Sequence, residues 1–456
     1  MISFIISLLR KLGVDKAILF TSLGRTIQAV GGVISVLFVA RFLTETEQGF
    51  YYTFGSIVAI QIFFELGLNG IITQYVAHEA SHLKWVNKTV LTGDLKYLSR
   101  LSSLLRFAAK WYIWFATILL ITLVIVGFVF FTKFDSGSEV VNWKTPWLLL
   151  SVGTAINLLI APILAFLEGL GKVKEVAQIR LCHFCIVLLV VCTGLGLGAK
   201  LYVPGLNSIV GVFIVLITVL LSSFKPILSN IWKVPITEKV NYKREIFPYQ
   251  WKIALSWMSG YFIFHLFNPV LFAVEGAVVA GQMGMTLAAL NGILSISLSW
   301  MTTKVPTYSG LIAQKNYKQL DIIFNRTLKQ SVFINASGLF CVFVIIFVIR
   351  YFQFEIGGLK LGNRFLDYIP MILMMIPLLI NQFVNSWAIY LRCHKKEPFL
   401  INSIAGGIAC CLSTVLLGKY FGVMGVTAGY CTLSICFLPW AYYIFKTKKD
   451  EWHGRK

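Results

Sequence analysis

Arg25 and Glu65 are the residues whose placement most needs a chemical reason. Each sits inside a long apolar run, where an ionisable side chain costs at least ~2.5–3.5 kcal/mol to insert. Arg25 falls about 10 Å into the run 18–42 at 1.5 Å per residue. Glu65 falls roughly 24 Å along the run 49–76, in a hydrocarbon core about 30 Å thick. Because the two runs are antiparallel, the charges lie at similar depth. On helices, Thr21, Arg25 and Gln28 share one face, and Gln61, Glu65 and Asn69 share another. One reading is a structural ion pair that locks the two helices. The other gives Arg25 to an anionic ligand and Glu65 to a proton or sodium ion; both readings can hold together, since a carboxylate released by an arriving anion changes its pKa.

Further polar groups at membrane depth are His265, Asn268, Gln282 and Asn291, then Asn381, Gln382 and Asn385. Helix–helix hydrogen bonding explains most residues of this kind, and lining a polar cavity is the functional alternative. His265 is the one that can titrate near neutral pH. Glu275, near a turn, reads as a solvated loop charge.

Three shorter patterns suggest enzymes and fail on context. His78-Glu79-Ala80-Ser81-His82 matches the zinc-protease signature, in which two histidines on one helix face bind metal and the glutamate acts as base. It has no third ligand motif downstream and lies where a span leaves the membrane. Cys182-His183-x-Cys185 places its groups on diverging helical positions. Glu45-x-Glu47 has the paired acids of a membrane glycosyltransferase or polymerase, without a large external domain to hold an acceptor. The sequence therefore predicts no enzyme, no bound metal and no cofactor beyond a coupling H+ or Na+.

The elements that must position these residues are membrane helices. The chain has 456 residues, 57% hydrophobic and 13% charged, with a mean hydropathy of +0.79. Soluble domains carry about 25% charge, so a cytosolic enzyme and a disordered chain are excluded. Apolar runs predict 12 transmembrane helices: 18–42, 49–76, 107–131, 146–167, 176–198, 204–224, 250–273, 276–300, 331–350, 366–390, 398–417 and 422–445. Residues 1–16 read as an interfacial helix.

Of the 40 Lys and Arg residues, 31 fall at one end of these runs and eight at the other. The positive-inside rule makes the basic end cytoplasmic, with both termini inside. The net charge of +21 is then a topology and anionic-lipid signal rather than a nucleic-acid one.

The amphipathic connections 84–110 and 304–329 resemble each other, with leucines at helical spacing and bases between. Each follows the second span of a half, so the chain reads as two parallel-repeat six-helix lobes around a central cavity, an architecture used by transporters. The lobes are 1–224 and 250–456, joined by a cytoplasmic linker, 225–249.

The stretch Arg41-Phe-Leu-Thr-Glu-Thr-Glu-Gln-Gly-Phe-Tyr resembles the Wzx-like O-antigen and polysaccharide flippases, as do residues 63–83, 248–272 and 280–286 (AGQMGMT). These belong to the multidrug/oligosaccharidyl-lipid/polysaccharide (MOP) exporter superfamily. The resemblance implies a MATE/MOP-like fold whose central cavity is lined by the first, second, seventh and eighth spans. It also implies a bacterial inner-membrane flippase moving undecaprenyl-pyrophosphate-linked oligosaccharide by ion-coupled exchange. The partners implied are that lipid, the bilayer, a glycan polymerase and a chain-length regulator. Arg25 and Glu65 match the depth of cavity charges, and Lys304 or Lys252 is placed to reach inward from the cytoplasmic rim. A MATE-like drug exporter is the alternative reading. It predicts an acid-rich cavity, whereas intramembrane acids are sparse here.

Overall fold

The computed structural model describes residues 16–135, 140–356, 359–394 and 396–454. The expected interfacial helix at 1–16 lies outside the described residues, apart from Lys16. The described residues are nearly all helical, and among them ten helical stretches are long and apolar enough to cross a membrane. Among the exposed side chains are Trp114, Val129, Leu221, Ile345 and Phe421, the apolar outer surface that lipid requires. The protein is a multi-pass membrane protein.

The order begins with α1 (Lys16–Phe42), α2 (Glu45–Val58), a 3-10 turn at Ala59–Gln61, α3 (Ile62–Glu65) and α4 (Leu68–Ala80). A β-hairpin follows, β1 (Leu83–Trp85) with β2 (Leu91–Gly93), then α5 (Leu95–Phe134), α6 (Lys144–Gly169), α7 (Val173–Gly196) and α8 (Val203–Leu221). Next are α9 (Phe224–Lys233), α10 (Phe247–Phe264), α11 (Phe267–Glu275), α12 (Ala277–Thr302), α13 (Val305–Ala313) and α14 (Tyr317–Tyr351). A short pairing of β3 (Glu355–Ile356) with β4 (Leu359–Lys360) precedes α15 (Tyr368–Arg392) and α16 (Leu400–Trp452).

Gly422 has non-helical dihedrals within α16 (φ 56°, ψ −139°), and a Cβ at Gly429 would meet Ser413 and Leu417. In a straight helix those residues would lie about 24 and 18 Å from Gly429, so α16 folds back on itself at Gly422. Glu275 accepts the Val423 amide at 3.0 Å. It therefore serves the new helix start, a more specific role than that of a solvated loop charge.

Three expectations need correction. The run 49–76 is not one helix, because Leu66 (φ 51°) and Gly67 (φ 65°) are left-handed. The run 250–273 breaks at His265–Leu266, four residues before Pro269, whose ring has no N–H to donate and clashes with the carbonyl one turn back. The connection 84–110 is not helical from its start. The Asn87 carboxamide accepts the Thr89 and Val90 amides, which turns the chain into the β1–β2 hairpin. Residue 95 begins the helix.

Contacts divide the chain into two compact units. The first comprises Met1–Gln28, Ile60–Phe130 and Asn142–Trp257, and the second Ala29–Ala59, Phe131–Val141 and Met258–Lys456. In the first, α6 packs on α4 and α8 through small residues: Gly169 meets Val76, and Gly153 meets Ser208. Asn157 donates to the Ser208 carbonyl (2.8 Å) and Thr73 to that of Ala165 (3.0 Å). Such close approach is how helices associate when lipid removes the hydrophobic drive.

In the second unit α2 packs closely on α12. A Cβ on Gly49 would collide with the Ala277 backbone, one on Gly281 would lie 2.8 Å from the Gly49 amide nitrogen, and one on Gly284 would run into Tyr52. The motifs TEQGFY and AGQMGMT are thus two sides of one backbone-to-backbone crossing. Gly49→Ala and Gly281→Ala are expected to cost about 1–3 kcal/mol through overpacking, seen as a lowered unfolding midpoint in detergent. Gly55→Ala, on α2 with open space around it, is expected to leave that midpoint unchanged or raised.

Candidate functional site

The break in the second apolar run creates the most distinctive polar arrangement at membrane depth. Leu66 and Gly67 interrupt the helix directly after Glu65, and a Cβ at Gly67 would also run into Ile253. A side chain at 67 is therefore excluded by both conformation and space. A non-glycine residue in the left-handed region, as at Leu66, costs roughly 1–2 kcal/mol, which the surrounding packing must offset.

Glu65 Oε1 accepts a hydrogen bond from the Asn69 Nδ2 (2.7 Å), and Asn69 Oδ1 accepts one from the Tyr112 hydroxyl (2.8 Å). Tyr112 is fully buried on α5. This chain fixes the orientation of the Asn69 amide. Its partners are neutral, so among the described side chains no cation is bonded to Glu65. A carboxylate within an apolar span, held by neutral groups beside an unwound helix, is of the kind that can take up a proton or a small cation.

The other sequence-predicted residues are dispersed. The Arg25 backbone lies in α1, and its side chain lies outside the described residues. Gln28 is exposed, and Gln61 sits in the 3-10 turn, half-buried. Asn268 is buried and donates to Ser56 Oγ (3.1 Å). Gln282 donates to the Asn363 carbonyl (2.8 Å). His265, half-buried, stacks on Tyr261, and Asn291 is half-buried on α12. Lys304 is exposed at the start of α13. In α15, Gln382 accepts from Ser297 (2.7 Å) and Asn381 donates to the Tyr430 hydroxyl (2.9 Å). Both are helix-to-helix links.

Sequence reasoning missed Tyr112, Gln48, Arg350 and Arg364. Gln48 Nε2 donates to the Gly281 and Arg364 carbonyls (2.8 and 3.0 Å). Arg364, buried, donates to the Leu43 carbonyl (2.7 Å) and to Gln48 Oε1 (3.3 Å). Arg350 donates to the carbonyls of Gly362, Phe365 and Leu366. Both arginines stood in the sequence as bases at the lightly charged end. The one signal for Arg364 was its place between Asn363 and the apolar pair Phe365-Leu366.

The HEASH segment has a structural employment. Glu79 is buried and accepts from Arg100 Nε (3.0 Å), while Arg100 Nη2 reaches Glu245 Oε2 (2.6 Å). His82 stacks on Tyr97. The glutamate that a protease would need as base is thus bound to a guanidinium. Around it, Ser99 accepts the Thr237 and Glu238 amides, Ser103 accepts that of Val240, and the Tyr75 hydroxyl donates to the Glu245 carbonyl. The segment 234–246 is therefore strapped to α4 and α5.

Burial raises the Glu245 carboxyl, but the Arg100 hydrogen bond and charge and the Asn241 amide outweigh it, so its pKa lies below the ordinary value. A depressed carboxylate stabilises the fold above its unfolded pKa, near 4.3, and that contribution is lost as pH falls through the folded value. The wild-type unfolding midpoint is expected to drop as pH falls below about 4. Glu245→Gln is expected to lower the midpoint at pH 7 and flatten that dependence, both read by thermal unfolding in detergent.

No protein-family model matches the chain, and no curated protein sequence matches it significantly. Solved structures do. A lipid II flippase, MurJ, in an inward-closed conformation is similar with a TM-score of 0.60 at 14% identity, over 94% of this chain and 87% of that one. A multidrug-resistance MATE family transporter of the MOP superfamily is similar in its outward-facing form, with a TM-score of 0.56 at 12% identity over 95% of each chain. Its inward-facing counterpart gives 0.51 at 12% identity, over 92% of this chain and 99% of that one. The chain shares the fold of these structures. These neighbours are transporters and a flippase rather than enzymes.

Proposed function

We propose that the chain is a flippase that moves an undecaprenyl-pyrophosphate-linked oligosaccharide, an O-antigen or other surface-polysaccharide unit, from the inner to the outer leaflet of a bacterial cytoplasmic membrane. The observation that carries the transport reading is the interrupted helix at Glu65-Leu66-Gly67 with its carboxylate held by Asn69. A pyrophosphate cannot cross hydrocarbon unaided, because desolvating its charge is prohibitive. A protein that carries it must supply a cation and polar surface at depth. Arg25 is the cation in this reading and Glu65 the coupling acid for H+ or Na+.

The cargo assignment is supported by the motifs shared with Wzx-like flippases and by a fold shared with a flippase of a lipid-linked substrate. Small cationic drugs are the second reading, favoured by the MATE neighbours. Against it, the polar groups at depth are mostly amides, suited to sugar hydroxyls, with one arginine and one carboxylate.

Arg25→Ala is expected to abolish surface-glycan display with normal membrane insertion, and Arg25→Lys to retain part of it, because lysine keeps the charge without the planar fork. Full glycan display by Arg25→Ala at normal expression sinks the anion-binding role. Glu65→Gln is expected to transport in reconstituted vesicles without responding to an imposed ion gradient. A pH and sodium dependence equal to wild type removes Glu65 from coupling.

A further inference from the structure

The second unit holds a cavity of about 460 Å³ at the lightly charged ends of α2, α12 and α14, among them Glu45, Gln282, Arg350, Phe354, Lys360 and Asp367. Its wall is built with care. Arg350 spends its guanidinium on three carbonyls of the segment 362–366 and pairs with Asp367 (3.3 Å). Gln282 ties Asn363 to α12 through its Nε2. These bonds hold the rim in place and leave other polar groups unspent. The Glu45 carboxylate and the Lys360 ammonium have no hydrogen-bond or ion-pair partner among the described residues. The Glu45 carboxylate offers acceptors, the Lys360 ammonium offers donors, and the Gln282 Oε1 offers a further acceptor. Phe354 presents a half-exposed ring at the same rim.

The charges cancel, with Glu45 and Asp367 against Arg350 and Lys360, so the cavity is not a site for a phosphate or another anion. Two separated carboxylates do not make a metal site, and the lining is too polar for an apolar drug. Mixed donors and acceptors beside an aromatic face match a neutral polyhydroxyl ligand. Every hydroxyl of such a ligand both donates and accepts, and its ring C–H face packs on an aromatic.

We infer that this cavity is a saccharide-binding site, holding the sugars of the cargo at the end of the protein that the positive-inside rule places outside. That role rests on the flippase reading. It gives Glu45, whose pairing with Glu47 resembled a glycosyltransferase motif, a binding use. Glu47 caps α2 with Thr44 instead.

The test uses the purified full chain in lipid nanodiscs, with glucose, galactose, rhamnose and N-acetylglucosamine as free probes, read by saturation-transfer NMR. At least one sugar is expected to show transfer. Its apparent affinity is expected to weaken about fivefold or more in Glu45→Gln and in Phe354→Ala, the usual cost of losing one contributing contact. An unchanged unfolding midpoint in each variant shows that folding is intact, and Glu45→Asp, which keeps the carboxylate, is expected to retain part of the binding. No transfer from any of the four sugars, or transfer unchanged in both variants, overturns the assignment. Leaflet orientation of a lipid-linked glycan, measured on the same wild-type preparation, separates the two readings. Flipping without sugar transfer ends the site and leaves the flippase. Transfer that the variants weaken, without flipping, upholds the site and ends the flippase.

Discussion

The close crossing of α2 and α12 at Gly49 and Gly281 is the contact on which the second unit depends. A Cβ at either glycine would force the two backbones apart. Their approach lets Gln48 reach the Gly281 carbonyl, and the same side chain then exchanges hydrogen bonds with Arg364. Away from water, a carbonyl left without a donor costs free energy comparable to a lost hydrogen bond. The loop between α14 and α15 is therefore fixed by Arg350, which donates to three of its backbone carbonyls, and by Arg364, which ties it to the Leu43 carbonyl and to the Gln48 side chain. Arginine suits this because its guanidinium presents five N–H groups in a rigid plane.

This arrangement decides which cations are available for cargo. Arg350 and Arg364 are occupied with carbonyls, so neither is a free charge for a pyrophosphate. The polar groups at membrane depth sort in the same way. Gln382, Asn381, Asn268 and Asn157 join one element to another and stabilise the bundle. Glu65 differs because its hydrogen-bonded partner belongs to the same run, just beyond a helix break. A continuous helix would already pair the backbone around position 65, whereas the left-handed pair Leu66-Gly67 stops that pairing beside the carboxylate. Structural and functional readings of buried polar residues therefore divide on whether both partners are consumed in joining helices.

Much of the fold could be read from the residues alone. Hydropathy located the apolar runs because lipid demands about 20 apolar residues in succession, and the Lys/Arg asymmetry separated the two ends. The pairing of TEQGFY with AGQMGMT was visible as two motifs, while the crossing they form was not. Glycine spacing marks a helix face without naming what approaches it. The break at 66–67 left a faint mark, one of the four glycines in the run 49–76. Pro269 gave a clearer one, since its missing N–H and ring disfavour the helix one turn earlier. The hairpin at 83–93 was hidden by leucine spacing that belongs to the helix starting at Leu95, and Asn87 was its one local sign.

The sequence by itself determined that this is a many-helix membrane protein with a basic end, with an arginine and a glutamate inside apolar runs, because burial in hydrocarbon restricts composition residue by residue. Tertiary structure alone decided that Asn69 and Tyr112 hold Glu65, that Arg100 neutralises Glu79 in a protease-like motif, and that Arg364 is a clamp rather than a loop charge. Those outcomes depend on which side chains meet across tens or hundreds of residues. Hydrogen bonds act over about 3 Å, a distance that only the folded chain sets.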